Sequence, residues 1–127
     1  MQKRHQHRFG CGCHEARQDR FVEPSIILLL WEKPRHGYEL LTEIPNFGFY
    51  QGAADPGAVY RNLRHLEEHG LVESEWDISG SGPAKRLYKL TDRGKKYLHT
   101  WTHVLRQRRD ALSGFLSKYQ QVAGGSI

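Results

Sequence analysis

The sequence predicts one mainly α-helical domain with a small β-hairpin and a single long helix at its end. Its 127 residues are the length of one domain, and with 38% hydrophobic residues the chain can bury one modest core. Apolar residues recur at spacings of three and four in most of the chain, and alternate with a period of two only between residues 71 and 90. No internal repeat is visible, so these segments belong to one fold.

Two helices are predicted before residue 46. Pro24 to Trp31 is a short apolar run that fits a buried strand or a buried helix, and the leucines in its second half favour a helix. His36 to Ile44 has apolar residues at a spacing of three, one face of a two-turn helix that Pro45 ends. We expect Tyr38 to pack on that apolar face and His36 to cap the helix.

The third helix has the clearest start in the sequence. Asp55 can accept hydrogen bonds from the free N–H groups of the first turn, and Pro56 suits the first helical position. Gly70 lies where a left-handed C-terminal cap belongs. The helix has one apolar stripe, and its opposite face is basic and polar. The residues on that face that could contact an anionic partner are Tyr60, Arg61, Asn62, Arg64 and His65.

A β-hairpin follows the third helix. Residues 71–78 alternate as a half-exposed strand should, with Trp76 on the apolar side. Residues 79–83 (SGSGP) are typical of a turn, and residues 84–90 predict the returning strand. Lys85 and Arg86 lie beside the turn, where they could contact a phosphate backbone.

The last helix is predicted to run from about Asp92 to Val122, with Thr91 as its N-cap. Six of its seven heptad positions are apolar or aromatic, which indicates a coiled-coil-like seam. We expect a second copy of the chain to pack along this seam. The predicted dimer-interface residues are Leu98, Trp101, Leu105, Leu112, Phe115 and Tyr119.

The first 20 residues differ in composition from the rest. They hold five basic and two acidic residues of a chain whose net charge is +5, and apart from Met1 their only large apolar side chain is Phe9. We expect a basic, flexible tail over residues 1–20, a folded domain over 21–91, a dimerisation helix over 92–122 and a flexible end over 123–127.

The tail also concentrates potential metal ligands. They are His5, His7, Cys11, Cys13 and His14. Four such donors could hold zinc or another transition metal, although C-x-C forms a tighter chelate than the C-x2-C of zinc fingers. The alternative is a basic arm in which these residues are incidental, so the fold itself requires no cofactor.

Several functional classes are excluded. Two cysteines this close cannot build a disulfide scaffold, which favours a cytoplasmic protein. The longest apolar run, Ile26 to Trp31, is far shorter than the ~20 residues that span a membrane, and no signal peptide is evident. The chain has no Gly-rich phosphate loop, acidic pair or nucleophile–base set, so we predict no enzymatic activity.

The order of the elements is that of a winged helix–turn–helix with an appended dimerisation helix. In that arrangement the third helix enters the major groove and the hairpin, or wing, touches the phosphate backbone. We therefore expect a homodimer that binds a roughly palindromic operator in double-stranded DNA. A protein–protein adaptor that kept the fold is the alternative, because fold does not fix function.

Three segments resemble the PadR-type (phenolic-acid-response) family of transcriptional regulators. They are residues 36–40 (HGYEL), 59–72 (VYRNLRHLEEHGLV) and 82–94 (GPAKRLYKLTDRG), within a resemblance that covers roughly residues 21–120. The resemblance implies a bacterial or archaeal dimeric repressor that leaves DNA when a small molecule or other signal arrives.

The resemblance leaves the effector open. In some members of the family an aromatic wall lines a ligand cavity between protomers, a role that Trp101 would fill here if it is not simply dimer core. The aromatic- and Gly-rich loop 46–54 and the Cys/His tail both depart from the family pattern. If the tail senses a metal or a redox signal, the protein is a metal- or redox-responsive regulator instead.

Overall fold

The computed structural model describes residues 21–49 and 52–124 of the chain. In chain order the elements are α1 (Val22–Glu32), β1 (Arg35–His36), α2 (Gly37–Glu43), a 3₁₀ helix (Ile44–Phe47), α3 (Pro56–Glu68), β2 (Val72–Asp77), β3 (Lys85–Leu90) and α4 (Asp92–Ala123). The predicted mainly helical fold with a hairpin and a long last helix is confirmed. The run that fitted a strand or a helix is helical. The tail residues and 125–127 lie outside the described part of the chain.

The sheet has three antiparallel strands in the order β1-β3-β2, one more strand than the sequence predicted. The hairpin pairs Val72 with Leu90 at its base and Asp77 with Lys85 near its turn. β1 adds only two pairs, of which His36 with Leu87 is the second. Since β1 runs directly into α2, the start of α2 is hydrogen-bonded to the wing.

The core lies between α1, α2 and α3. Its fully buried side chains include Ile26, Ile27, Leu40, Val59 and Leu66. Burying an aliphatic side chain of this size contributes about 1.5–3 kcal/mol. This core sets the positions of α2 and α3, the two helices that carry most of the candidate site.

The ends of α3 form as predicted. The Asp55 carboxylate accepts hydrogen bonds from the N–H groups of Gly57 (3.4 Å) and Ala58 (3.3 Å). At the other end Gly70 has a φ of +75°, the left-handed conformation that favours glycine. Asp55 and Gly70 therefore fix where α3 begins and ends, and so which residues its exposed face contains.

The first turns of α4 pack against the rest of the chain. The Thr91 hydroxyl caps the helix by accepting from the N–H of Gly94 (3.1 Å). Leu98 is only 6% exposed and belongs to the chain's own core, so its predicted place in a dimer seam is corrected. Neither period nor spacing distinguishes a residue that packs on its own domain from one that faces a partner. Residues 106–124 are all exposed.

Candidate nucleic-acid interface

The outer face of α3 presents three of the five predicted contact residues together. Arg61 and Arg64 are exposed, and Tyr60 is 39% exposed. Asn62 differs, because its side-chain amide donates to the Ala58 carbonyl of the same helix (2.8 Å). His65 is exposed near the C-terminal end of α3, and its ring lies 4.4 Å from that of His69. The predicted contact residues that are exposed on this helix are thus Tyr60, Arg61, Arg64 and His65.

Tyr60 also joins α3 to the start of α2. A Cβ atom added to Gly37 would lie 2.5 Å from Cε1 and 2.7 Å from the hydroxyl oxygen of Tyr60. Only glycine admits the ring there without a shift. The two sequence motifs around residues 37 and 60 therefore meet in space, which the sequence does not reveal.

The two cations of the wing have different surroundings. Lys85 is exposed, and its Nζ lies 5.1 Å from the centroid of the Tyr38 ring. Arg86 is half-buried and donates from Nε to the Ser74 hydroxyl (3.0 Å). Its guanidinium lies over the Trp76 ring at 4.7 Å. Successive side chains of a strand point to opposite faces. Lys85 therefore projects outward, whereas Arg86 contacts the neighbouring strand of the hairpin.

A carboxylate of α3 is also near Arg86. An Nη atom of Arg86 lies 4.0 Å from Glu67, whose other contact is a hydrogen bond from the Ser74 hydroxyl (2.7 Å). Arg86 therefore ties β2 and β3 to α3, and Lys85 is the more exposed cation of the predicted wing pair. Lys89, further along β3, pairs with Glu75 at 3.3 Å.

His36 lies where α2, β1 and the wing meet. Its backbone N–H donates to Glu39 (2.7 Å), which is the predicted cap of α2. Its ring Nδ1 is 3.1 Å from the same carboxylate, and Nε2 is 2.8 Å from Asp77 at the end of β2. The sequence predicted the cap but not the contact with the wing.

The prediction that Tyr38 packs on the apolar face of α2 is wrong. Tyr38 is 50% exposed and stacks on the His36 ring, with centroids 5.5 Å apart. The core face of α2 is formed instead by Leu40, with Ile44 just beyond the helix. Trp76 is likewise exposed at 62%, because the outer half of the hairpin extends past the core.

Both carboxylates beside His36 are held in their charged form. The Ser79 hydroxyl and N–H, followed by His36, lower the pKa of Asp77 to about 2. The His36 backbone N–H is the main cause that lowers the pKa of Glu39. At neutral pH the imidazole therefore lies between two carboxylate anions.

Within the described residues, three open clefts lie along α4. Trp101 lines one of about 230 Å³, and its indole N–H donates to Glu23 (3.1 Å), which also accepts from the Tyr97 hydroxyl (2.7 Å). A second, of about 640 Å³, is lined by Phe49 and Leu105 with three arginines of α4. A third, of about 650 Å³, lies between α1, the 3₁₀ helix and α4. The predicted effector residue thus borders a cleft in a single chain.

A metal site requires a group of ligand side chains, and a membrane-spanning helix requires a long apolar stretch. Among residues 21–49 and 52–124, no three His, Cys, Asp or Glu side chains are grouped so that they could hold a metal ion. No helix in these two stretches is long and apolar enough to cross a membrane. The candidate ligands His5, His7, Cys11, Cys13 and His14 lie outside the described residues.

Comparison with known proteins places this geometry in a family. The model of the transcriptional regulator PadR-like family matches residues 26–100. The negative transcriptional regulator PadR of Bacillus subtilis is 28% identical over 82 residues, which are 65% of this chain and 45% of that protein. The match therefore spans less than half of that regulator.

Solved structures agree with the family match. A candidate transcriptional regulator, TA0346, of Thermoplasma acidophilum is 30% identical with a TM-score of 0.66, over 78% of this chain and 93% of that chain. The structure of Bacillus subtilis PadR in complex with operator DNA is 28% identical with a TM-score of 0.57, over 65% of this chain and 47% of that chain.

Proposed function

This chain belongs to the PadR-like family of transcriptional regulators, and we propose that it is a sequence-specific DNA-binding repressor that acts as a homodimer. The observation that carries this proposal is the exposed face of α3, on which Tyr60, Arg61 and Arg64 lie together beside the wing. Arginine suits bidentate contacts with guanine or phosphate, and a tyrosine hydroxyl can reach phosphate. The solved complex of Bacillus subtilis PadR with operator DNA supports the same use of this fold.

The second half of α4 supports the homodimer. Its exposed apolar side chains are Leu112, Phe115, Leu116, Tyr119 and Val122. A soluble monomer rarely exposes so continuous an apolar stripe. We propose that a second copy covers it, with Trp101, Leu105, Leu112, Phe115 and Tyr119 in the interface and Leu98 in the chain's own core.

The clefts around Trp101 support release by a small molecule. They lie where α4 leaves the DNA-binding domain, so a ligand there would contact both the domain and the dimerisation helix. A change in the angle between these two parts would alter the spacing of the two α3 helices on DNA. We propose an effector of partly apolar character, with Trp101 as one wall of its site.

Binding to DNA is tested with operator fragments selected from the genome of the source organism. Substitution of Arg61 and Arg64 by alanine should weaken operator binding, and each base-reading arginine should account for ~1–3 kcal/mol at one base pair. Lys89→Ala is the matched control, since Lys89 pairs with Glu75 away from α3. Unchanged operator affinity in the double variant would refute the assignment of α3 to the groove.

A further inference from the structure

His36 links three elements through both nitrogens of its ring. Nδ1 is 3.1 Å from Glu39 of α2, and Nε2 is 2.8 Å from Asp77 of β2. A neutral imidazole carries one N–H and can donate to only one of these carboxylates, whereas the cation donates to both. The geometry of this half-buried ring is therefore fully satisfied in its cationic form.

Charged residues of β1, β3 and the loop after α1 also lie near His36 and its two carboxylate partners. Lys33, in the loop after α1, acts on Glu39 electrostatically, and Lys85 of β3 lies over the Tyr38 ring. Arg35, the neighbour in β1, is directed away, because its Nε donates to the Leu29 carbonyl (3.1 Å) and its Nη pairs with Glu32. The two carboxylates are thus the anions in direct contact with the imidazole.

The same contacts set the position of the wing. Asp77 is the cross-strand partner of Lys85, so the bond from His36 to Asp77 fixes the part of the hairpin that carries Lys85. The His36 ring also supports Tyr38, over which Lys85 lies. Tyr38 follows Gly37, which the Tyr60 ring covers, so this exposed pair adjoins the α3 face.

We infer that His36 is a positioning residue for DNA binding: it holds the wing against α2 so that Tyr38 and Lys85 form one phosphate-contact element beside α3. This inference rests on the proposed function. A phenolic hydroxyl can donate to a phosphate oxygen and an ammonium neutralises its charge, so the pair suits the DNA backbone rather than a base edge. A neutral ring can donate to only one of the two carboxylates, so it ties the wing to α2 less firmly than the cation does.

The chain offers conservative variants for the test. His36→Asn keeps a residue that caps helices well and keeps the backbone N–H that donates to Glu39, but its side chain is too short to replace the ring's bond to Asp77. Asp77→Asn removes the charge and retains an oxygen that can accept from Ser79. Lys89→Ala is the control for a wing cation outside the cluster, and His65→Gln controls for a second histidine near the DNA.

The experiment measures operator affinity of the full chain by fluorescence anisotropy from about pH 5 to pH 8, the range in which histidine changes charge, at fixed ionic strength. We expect wild-type affinity to fall as the pH rises and that of His65→Gln to keep this dependence. His36→Asn and Asp77→Asn should bind about tenfold more weakly at the acidic end, as expected for a lost hydrogen bond between charged groups, and lose most of the dependence.

A salt titration tests the contact element itself. Lys85→Ala should lower the slope of log affinity against log salt by about 1, and should lower it less in the His36→Asn background. Tyr38→Phe should weaken binding to all sequences alike.

Two results would overturn the inference. One is a His36→Asn variant with the wild-type affinity, pH profile and salt slope. The other is a variant that is weaker but keeps the wild-type pH profile, which would make His36 merely structural. If the wild type itself binds no operator, the proposed function fails instead. If Arg61 and Arg64 matter but His36 does not, only this inference fails.

Discussion

At the scale of single residues, two glycines decide how closely the elements approach. A Cβ atom on Gly94 would lie 2.3 Å from the backbone oxygen of Leu71, which cannot move without the hairpin. A Cβ atom on Gly37 would meet only the outer atoms of the Tyr60 side chain, which can rotate away. Gly94 is therefore required for the packing of α4 against the hairpin. Gly37 instead leaves room for Tyr60, a candidate DNA-contact residue.

We expect Gly94→Ala to destabilise the protein by about 1–3 kcal/mol, the usual cost of overpacking. Gly114→Ala is the control, because no atom lies within 4 Å of a Cβ at that site on α4 and alanine favours a helix by about 0.5–1 kcal/mol. Urea unfolding of the three proteins measures both effects. Equal stability of Gly94→Ala and wild type would contradict the close approach.

Asp77 gives a prediction in acid. Its pKa, lowered to about 2 chiefly by Ser79, means that it stabilises the fold fully above the ordinary carboxyl range and loses this contribution as the pH falls towards 2. Ser79→Ala should raise the pKa of Asp77 and move that loss to higher pH. An NMR titration of the Asp77 carboxyl carbon reports the shift directly, and an unchanged midpoint in Ser79→Ala would contradict the assigned cause.

At the scale of elements, the sequence predicts what local chemistry determines. Asp55 and Gly70 bound α3, and Thr91 starts α4, because caps depend on neighbouring backbone groups. β1 could not be predicted, since two residues carry no periodicity and pair only because β3 lies beside them. The exposure of Tyr38 and the burial of Leu98 likewise depend on which element packs opposite.

In the candidate site too, features set by local sequence could be predicted and contacts between distant residues could not. The α3 face follows from its own pattern of basic and apolar residues, so Tyr60, Arg61 and Arg64 could be proposed from the sequence. The bond between His36 and Asp77 joins residues 41 positions apart, and Arg86 is drawn inward by Glu67, Ser74 and Trp76. No local pattern encodes contacts of that separation.

The two halves of α4 should respond differently to substitution. Leu112→Asp combined with Phe115→Asp puts charges into the proposed interface and should convert a dimer into a folded monomer. Leu98→Ala should instead destabilise the fold by about 2–5 kcal/mol, because Leu98 is in the core of its own chain. Analytical ultracentrifugation and urea unfolding separate these outcomes. A wild type that sediments as a monomer at micromolar concentration would refute the dimer.

At the scale of the whole molecule, the basic composition of the first 20 residues leads to a separate prediction. We predict that they act as a basic arm, because Lys3, Arg4 and Arg8 can displace counterions from phosphate. Deletion of residues 1–15 should then weaken DNA binding and reduce its salt dependence. The matched measurement is the metal content of both forms, purified without chelators or affinity tags.

Metal bound only by the full-length form, with an operator affinity that changes on chelation, would instead identify Cys11, Cys13 and the nearby histidines as a metal sensor. Such binding should weaken as the pH falls, since the thiols must lose protons to bind the metal. Equal, substoichiometric metal in both forms would leave only the arm.

We propose that two copies of the chain place their α3 helices in successive major grooves of one operator. Hydroxyl-radical footprinting and guanine-methylation interference on a selected operator test it directly. We expect two protected half-sites about one helical turn, ~34 Å, apart, related by a rough palindrome, with interference at major-groove guanines in both. A single protected segment without symmetry, or protection without major-groove interference, would contradict it.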